Sequence, residues 1–288
     1  MNNQVVFITG PARGIGAEVA RAAAKRGAKL ALAGLEPQLL EQLANELGPE
    51  HLWIECDVTS QASLARAVEA TVQKFGGIDI VFANAGIACN GPVSVAPPDA
   101  LARVVEVNLI GVIRTVSATL AHVTARKGYV LLMSSAASIV TSPGISSYAA
   151  AKAGVEHFAN GLRLEVAHKG VAVGSFHPCW IATDLVNDSR RDLPSFDRML
   201  AKLPGPFGGV TPVSVCAEAV IDAMVKRKRK AFVPRSLAPY AALRQFLNSR
   251  FGEFLLAREM RRSVPRLERE VQQLGRSFGE HSVEVTRK

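Results

Sequence analysis

Short apolar runs alternate with helix-length segments along the first 180 residues, and this alternation limits the fold more than any other feature. Val5-Val6-Phe7-Ile8-Thr9 reads as a buried strand and passes directly into Gly10-Pro11-Ala12-Arg13-Gly14-Ile15-Gly16, after which residues 17–26 follow a helical pattern. Gly27 closes that helix, and Lys29-Leu30-Ala31-Leu32-Ala33 gives a second strand. The cycle repeats with a helix over 37–47, a strand over 51–56, a helix from Thr59 or Ser60 to Phe75 and a strand over 78–82. A long helix over 98–124, a strand over 129–133, a helix over 147–168 and a strand over 171–176 complete it. Strands separated by helices pair in parallel, so the pattern predicts an α/β fold: a doubly wound parallel sheet of about seven strands with helices on both faces.

Two places in this pattern carry chemistry. Glycines between a strand and a helix let the backbone turn tightly and approach a pyrophosphate at the helix N-terminus. The spacing here is G-x-x-x-G-x-G, and on its own it also describes a tight turn with no ligand. The second place is Ser147-Tyr148-Ala149-Ala150-Ala151-Lys152, where a helix stacks the tyrosine and the lysine on one face. A cation beside a phenol favours the phenolate, which fits the tyrosine to exchange a proton with an alcohol or ketone. Ser135 ends the apolar run 129–133, at the carboxyl end of a strand where open α/β sheets place their ligands. Taken alone, the pair also fits an exposed tyrosine covered by a lysine stem.

The strand and helix patterns run without a linker, so residues 1–235 read as one dinucleotide-binding catalytic domain and 236–288 as a helical basic extension. Four widely spaced cysteines form no C-x-x-C, which suits reduced thiols in a cytoplasmic protein. The N-terminus lacks the basic and long apolar regions of a signal peptide, and no run of eighteen apolar residues occurs. The net charge of +9 belongs to the tail: residues 226–288 hold sixteen Lys and Arg against six Asp and Glu, while residues 1–225 hold eighteen against nineteen.

Over 5–183 the chain strongly resembles the short-chain dehydrogenase/reductase family. Thr9-Gly10-x-x-x-Gly14-Ile15-Gly16, Asn84-Ala85-Gly86, Asn108, Ser135 and Tyr148-x-x-x-Lys152 fall in that family's order and spacing. The resemblance implies a Rossmann-like fold and an NAD(P)-dependent oxidoreductase of CH-OH groups, in which Tyr148 is the acid/base and Ser135 orients the substrate oxygen. Lys152 would hold the nicotinamide ribose and lower the tyrosine pKa, and Asn108 would shape its helix and hold a water in a relay to Lys152. Gly10, Arg13, Gly14, Ile15, Gly16, Asp57, Val58, Asn84, Ala85, Gly86, Pro178 and Thr183 are the further cofactor contacts implied. Asp57 also reads as a helix-start residue. One departure is Pro178-Cys179 where the family has Pro-Gly, and the bulk of Cys179 bears on the nicotinamide loop. The cofactor is NADP or NAD, with a lean to NADP: Gly34 occupies the place of the usual aspartate and Arg13 could meet a 2′-phosphate, but Leu35 stands where NADP-preferring relatives often carry arginine, and arginine at the position of Arg13 also occurs in NAD-dependent relatives. A fold-retaining regulator without chemistry is the alternative class.

Beyond the cofactor residues, 185–210 matches the family's substrate lid, and its Leu193, Phe196, Met199, Leu200 and Leu203 predict a lipophilic alcohol or ketone. The family resemblance also implies a homodimer or homotetramer through the helices 98–124 and 147–168. Lys226-Arg227-Lys228-Arg229-Lys230, followed by Tyr240, Leu243, Leu247, Phe251 and Phe254 at helical spacing, predicts either a peripheral membrane contact or a stripe packed on the domain or on a partner subunit. No recognition motif for nucleic acid accompanies the charge. No metal site is expected.

Overall fold

The computed structural model describes residues 1–140 and 142–279. The alternation is built as expected: β1 (Val5–Thr9), α1 (Gly14–Ala24), β2 (Lys29–Gly34), α2 (Pro37–Leu47), β3 (Leu52–Glu55), α3 (Gln61–Phe75) and β4 (Ile80–Ala83). Then come α4 (Pro98–Val105), α5 (Gly111–Ala125), β5 (Tyr129–Met133), α6 (Ser146–Val166) and β6 (Ala172–Pro178). Ser60 caps α3 by accepting from the Ser63 N–H, and left-handed Gly76 ends it.

Downstream, a short strand β7 (Trp180–Ile181) precedes the two lid helices α7 (Asp184–Asp192) and α8 (Phe196–Lys202). It pairs in parallel with β8 (Val210–Thr211), which brackets the lid between its two ends. Helix α9 (Val213–Val225) leads to β9 (Lys230–Val233). The main sheet is seven-stranded in the order β3-β2-β1-β4-β5-β6-β9, with every pair parallel.

Its inner strands are buried on both faces, as parallel strands between two helical layers must be, while the edge strands β3 and β9 are partly exposed. Val19, Leu40 and Val220 pack one face, from α1, α2 and α9. Leu64, Val112, Val116, Val155 and Ala159 pack the other, from α3, α5 and α6. The order reverses between β1 and β4, so the glycine turn after β1 and the Asn84 loop after β4 face each other at one crevice.

Two sequence expectations change in form. The helix expected over 98–124 is interrupted by a π turn at Glu106–Ile110, where the Gly111 N–H bonds back to Glu106 O. A π turn inserts one residue and so rotates α4 relative to α5, and here it carries Asn108. By length and mean hydropathy of 1.5 the stretch Pro98–Ala125 suffices to cross a membrane, yet it packs in the core against α3 and α6.

The apolar stripe of the extension is likewise broken into α10 (Ala238–Ala242), α11 (Arg244–Leu247) and α12 (Arg250–Leu274). Ser249 caps α12 and forces the last break. The extension docks on the lid: Val271 and Phe278 join Val186, Leu193, Phe196 and Leu200 in one apolar cluster. Polar clamps surround it, with Ser195 to Glu270 at 2.5 Å, Lys202 to Glu259 at 2.7 Å and Arg276 to Asp192 at 2.9 Å. The cationic run 226–230 turns from α9 into β9 at the amino ends of the strands. There Lys226 and Lys228 pair with Asp222, and Lys230 pairs with Glu156.

Candidate active site

The first wall of the site is the glycine turn. Gly10 and Gly14 have φ of 65° and 56°, left-handed conformations that favour glycine. Gly16 is required for closeness instead: a Cβ there would press into Gly10 O and lie 2.7 Å from Asn84 Nδ2 and 2.9 Å from Pro11 Cα. Asn84 fastens the turn from the other side, its Nδ2 donating to Thr9 O at 3.1 Å and Gly10 O at 3.0 Å. Buried Thr9 accepts at Oγ1 from the Asn84 and Ala85 N–H groups. The result is a backbone cradle closed to side chains at the start of α1, which suits a pyrophosphate.

At the rim of this cradle, Arg13 donates to Glu36 at 3.0 Å, while its Nε has no partner among the described residues. Asp57 accepts from the Thr59 N–H at 2.8 Å and hydroxyl at 2.7 Å, so one carboxylate oxygen shapes the turn into α3 while the residue still lines the cleft. Val58 packs where a Cβ on Gly111 would lie 2.8 Å away.

The second wall is β5 and α6. Ser135 follows β5, and its hydroxyl accepts from the Ala137 N–H at 3.1 Å and acts on the Tyr148 phenol to lower its pKa. Lys152, one turn beyond Tyr148, is 2% exposed; its Nζ donates to Met133 O at 2.9 Å and lies 5.6 Å from the Tyr148 ring centroid. Burial pushes the lysine pKa down to about 7. Burial also pushes the half-buried tyrosine up, opposed by the Ser135 hydrogen bond. Burial is thus the main cause acting on the tyrosine, and the lysine that the resemblance implies would lower its pKa is not among the causes; Lys152 Nζ donates to Met133 O instead.

Fully buried Asn108 clamps the loop after β4. Its Oδ1 accepts from the Ile87 N–H at 3.1 Å, and its Nδ2 donates to Ile87 O at 2.8 Å. Gly86 fits beneath it, since a Cβ would strike Asn108 Oδ1 and come within 3.5 Å of Lys152 Nζ.

Behind Ser135 lies a network that the sequence did not signal. Buried His177 on β6 has Nδ1 3.1 Å from Ser138 Oγ and Nε2 2.9 Å from Ser175 Oγ, and Ser138 donates to Ser135 O at 2.7 Å. Ser138 already gives its proton to Ser135 O, so Nδ1 carries the imidazole proton and Nε2 accepts from Ser175. Buried Glu156 on α6 pairs with Lys230 at 2.5 Å and with Arg244 of the extension at 2.9 Å. Spacing arguments find neither network because their members lie far apart in the chain.

The third wall carries the departure at Cys179. Its φ lies outside the left-handed region, and its N–H donates to Val233 O at 2.8 Å, extending the pairing of β6 with β9. Burial raises the thiol pKa to about 11. The cysteine is thus an unreactive wall residue in ordinary backbone, where glycine is not needed. Thr183 sits against the glycine turn, its Cγ2 3.4 Å from where a Gly14 Cβ would be.

Gly10, Arg13, Gly14, Ile15, Gly16, Asp57, Val58, Asn84, Ala85, Gly86, Asn108, Ser135, Tyr148, Lys152, Pro178 and Thr183 all line one cavity of about 650 Å³. The family described as short chain dehydrogenase matches residues 4–194. The chain belongs to the short chain dehydrogenase family. Among similar proteins, tropinone reductase-like 1 of Erythroxylum coca is 35% identical over 73% of this chain and 79% of its own. The (+)-borneol dehydrogenase 1 of Salvia officinalis is 29% identical over 77% and 86%. The crystal structure of 3-ketoacyl-(acyl-carrier-protein) reductase from Brucella melitensis, complexed with NADH, superposes with a TM-score of 0.73 at 25% identity, covering 82% of this chain and 99% of that one.

From the cofactor cleft the cavity extends under the lid into a region that the family motifs do not cover. Leu185, Val186, Leu193, Phe196, Met199 and Leu203 line it from the lid. The extension adds Tyr240, Phe246, Leu247, Met260, Leu267 and Phe278. Asn90, Arg103, Ser142, Asp184 and Ser189 are polar lining residues that sequence reasoning missed, and Asn90 Oδ1 and Arg103 Nε have no partner among the described residues.

Proposed function

We propose that this protein interconverts a lipophilic secondary alcohol and its ketone with a nicotinamide dinucleotide. The observation that carries the reading is the juxtaposition in one cavity of a closed glycine cradle with Ser135, Tyr148 and Lys152. The cradle and the Asn84 loop would hold the dinucleotide, and when bound it supplies the hydride acceptor or donor. Ser135 orients the substrate oxygen, and Tyr148 exchanges a proton with it. A phenol whose pKa is raised keeps its proton at neutral pH, so the free enzyme is set to donate to a ketone. Lys152 holds the ribose and restores the tyrosine proton, while Asn108 keeps the Ile87 loop in register beside it. A regulator without chemistry is disfavoured, since a binding-only role gives no reason to bring Ser135, Tyr148 and a buried lysine to one cavity.

Relatives named for tropinone reduction and borneol dehydrogenation support an alcohol–ketone substrate, and the apolar lid and extension support a lipophilic one. NADP is the preferred cofactor: Arg13 brings a guanidinium to the cleft, and its pairing with Glu36 offsets the carboxylate that would repel a 2′-phosphate. Outer faces of α5 and α6 form a homo-oligomer contact, where Leu164 is 80% exposed and Gly161 faces open space. Exposed Leu243, Phe246, Phe251 and Phe254, flanked by Arg250, Arg258, Arg261 and Arg262, form a peripheral membrane contact beside the cavity mouth of a cytoplasmic enzyme.

Incubation of the purified protein with NADP or NAD and a panel of lipophilic secondary alcohols, followed by absorbance of the reduced nicotinamide, tests this reading. Turnover with preference for NADP, diminished in Arg13→Ala, is expected. Tight cofactor binding with no turnover of any alcohol or ketone would support the regulator instead.

A further inference from the structure

At the lid end of the cavity, three segments distant in sequence are tied together. Asn90, in the loop after β4, pairs antiparallel with Phe278 of the extension: its N–H donates to Phe278 O at 3.1 Å, and its carbonyl accepts from the Phe278 N–H at 2.9 Å. The neighbouring Gly91 N–H donates to Gly144 O at 2.7 Å, in the loop that leads into α6. Gly144 has φ of 83°, a conformation that favours glycine, and a Cβ there would lie 2.8 Å from Leu267 Cδ2. The backbone of Asn90 is therefore fixed from both sides.

The side chain it presents is anomalous. Asn90 is 5% exposed and lines the cavity, but its Oδ1 has no hydrogen-bond partner among the described residues. Buried polar atoms are nearly always paired, and a lone one on a cavity wall marks a place where a ligand atom belongs. Apolar Ile145, Leu267 and Phe278 line the same cavity, and Leu267 and Phe278 flank Gly144. A carboxamide locked in place among hydrocarbon groups can discriminate by hydrogen bonding, because a substrate that lacks the matching group leaves it unpaired.

We propose that Asn90 is a specificity residue that binds a hydroxyl group on the substrate, remote from the carbon that reacts. This rests on the reading of the cavity as the site of alcohol–ketone chemistry. A hydroxyl both donates and accepts, so it satisfies the carboxamide in either orientation of the amide. The substrate class is then a lipophilic hydroxy-ketone or the corresponding diol, with one oxygen at Ser135 and Tyr148 and the other at Asn90. The extension takes part through Phe278, which fixes the Asn90 backbone.

The test is equilibrium binding, by calorimetry, of a fused-ring ketone and a set of its positional hydroxy derivatives to the full-length protein, with and without oxidised NADP. The added hydroxyls are tertiary, so neither they nor the ketone can react with oxidised cofactor; binding is read apart from chemistry, and the alcohol panel reads the chemistry separately. At least one hydroxy isomer is expected to bind about tenfold more tightly than the parent, and Asn90→Leu to reduce that preference to about twofold or less. Thermal unfolding of Asn90→Leu is expected at or above the wild-type midpoint, since an apolar side chain of similar size removes an unpaired acceptor. Asn90→Ala serves as a second variant with the same expected loss of preference. The proposal is overturned if no isomer binds more tightly than the parent, if no member of the set binds at all, or if both variants keep the wild-type preference. A lower unfolding midpoint in Asn90→Leu would reveal a structural partner for the carboxamide and would overturn it too.

Discussion

Acidification from about pH 7 to about pH 5 should weaken the fold through His177. The imidazole is buried in β6, stacked on Phe232 at 5.0 Å and held between Ser138 and Ser175. Burial is the main cause that carries its pKa down to about 4, and the nearby Glu156 carboxylate opposes it. A histidine with a folded pKa below its unfolded value of about 6.5 is protonated first in the unfolded chain. Its contribution is therefore complete above about pH 6.5 and is lost as the pH falls toward 4. At about 1.4 kcal/mol per pKa unit, the loss between pH 7 and pH 5 comes to about 2 kcal/mol, or a fall of about 4–8 °C in Tm for a chain of this size. Other groups titrate in the same interval, so the comparison is with His177→Asn, which keeps a short polar side chain and cannot take up the proton. Urea unfolding followed by circular dichroism across this range measures the difference. The wild type should lose about 2 kcal/mol more than the variant over the interval. Equal losses in the two proteins would refute the assignment of the buried imidazole as the responsible group.

Two further expectations concern the cradle and the extension. Gly16→Ala places a methyl group against Gly10 O, Asn84 Nδ2 and Pro11 Cα, so cofactor affinity should fall by about a hundredfold or more and the Tm should drop; fluorescence titration with reduced cofactor checks it, and wild-type affinity would contradict the cradle. The double change Phe251→Ser and Phe254→Ser removes two exposed aromatic groups and should lower co-sedimentation with anionic vesicles at low salt by about tenfold or more. Point changes are the right instrument, because ending the chain near Arg235 would also remove a wall of the cavity. Equal binding by wild type and double variant would contradict a membrane contact at these residues.

Much of the fold was legible because its signals are local. Apolar runs of five residues and glycine stops mark the strands and helix ends wherever the chain lies in space, and Tyr148 and Lys152 share a face by helical geometry alone. Asn108 marks where this reasoning stops. Its place in the motif was visible, but a π turn differs from an α-helix by a single inserted residue, and the apolar periodicity around Val107 and Leu109 does not reveal it. The extension was harder still. Tyr240, Leu243, Leu247, Phe251 and Phe254 keep helical spacing across breaks at Leu243 and at Asn248 and Ser249, so one stripe was expected where three helices form. What Phe278 touches is decided by the lid, about eighty residues upstream. The pairings of Arg13 with Glu36, Glu156 with Arg244, and Asn90 with Phe278 are tertiary in the same way. The pKa balance at Tyr148 needed burial as well as spacing, and burial is not a property of the motif.

The central claim is that the Tyr148 phenol carries the proton in an alcohol–ketone reaction, and Tyr148→Phe tests it most directly. The substitution removes one oxygen and leaves the cradle, Asn84 and Lys152 in place. Steady-state turnover of the best alcohol in the panel, measured beside a titration of cofactor binding, separates chemistry from binding. The account predicts that kcat falls by about 10²–10⁴-fold while the cofactor Kd changes by no more than about threefold. A variant that turns over at close to the wild-type rate would contradict it.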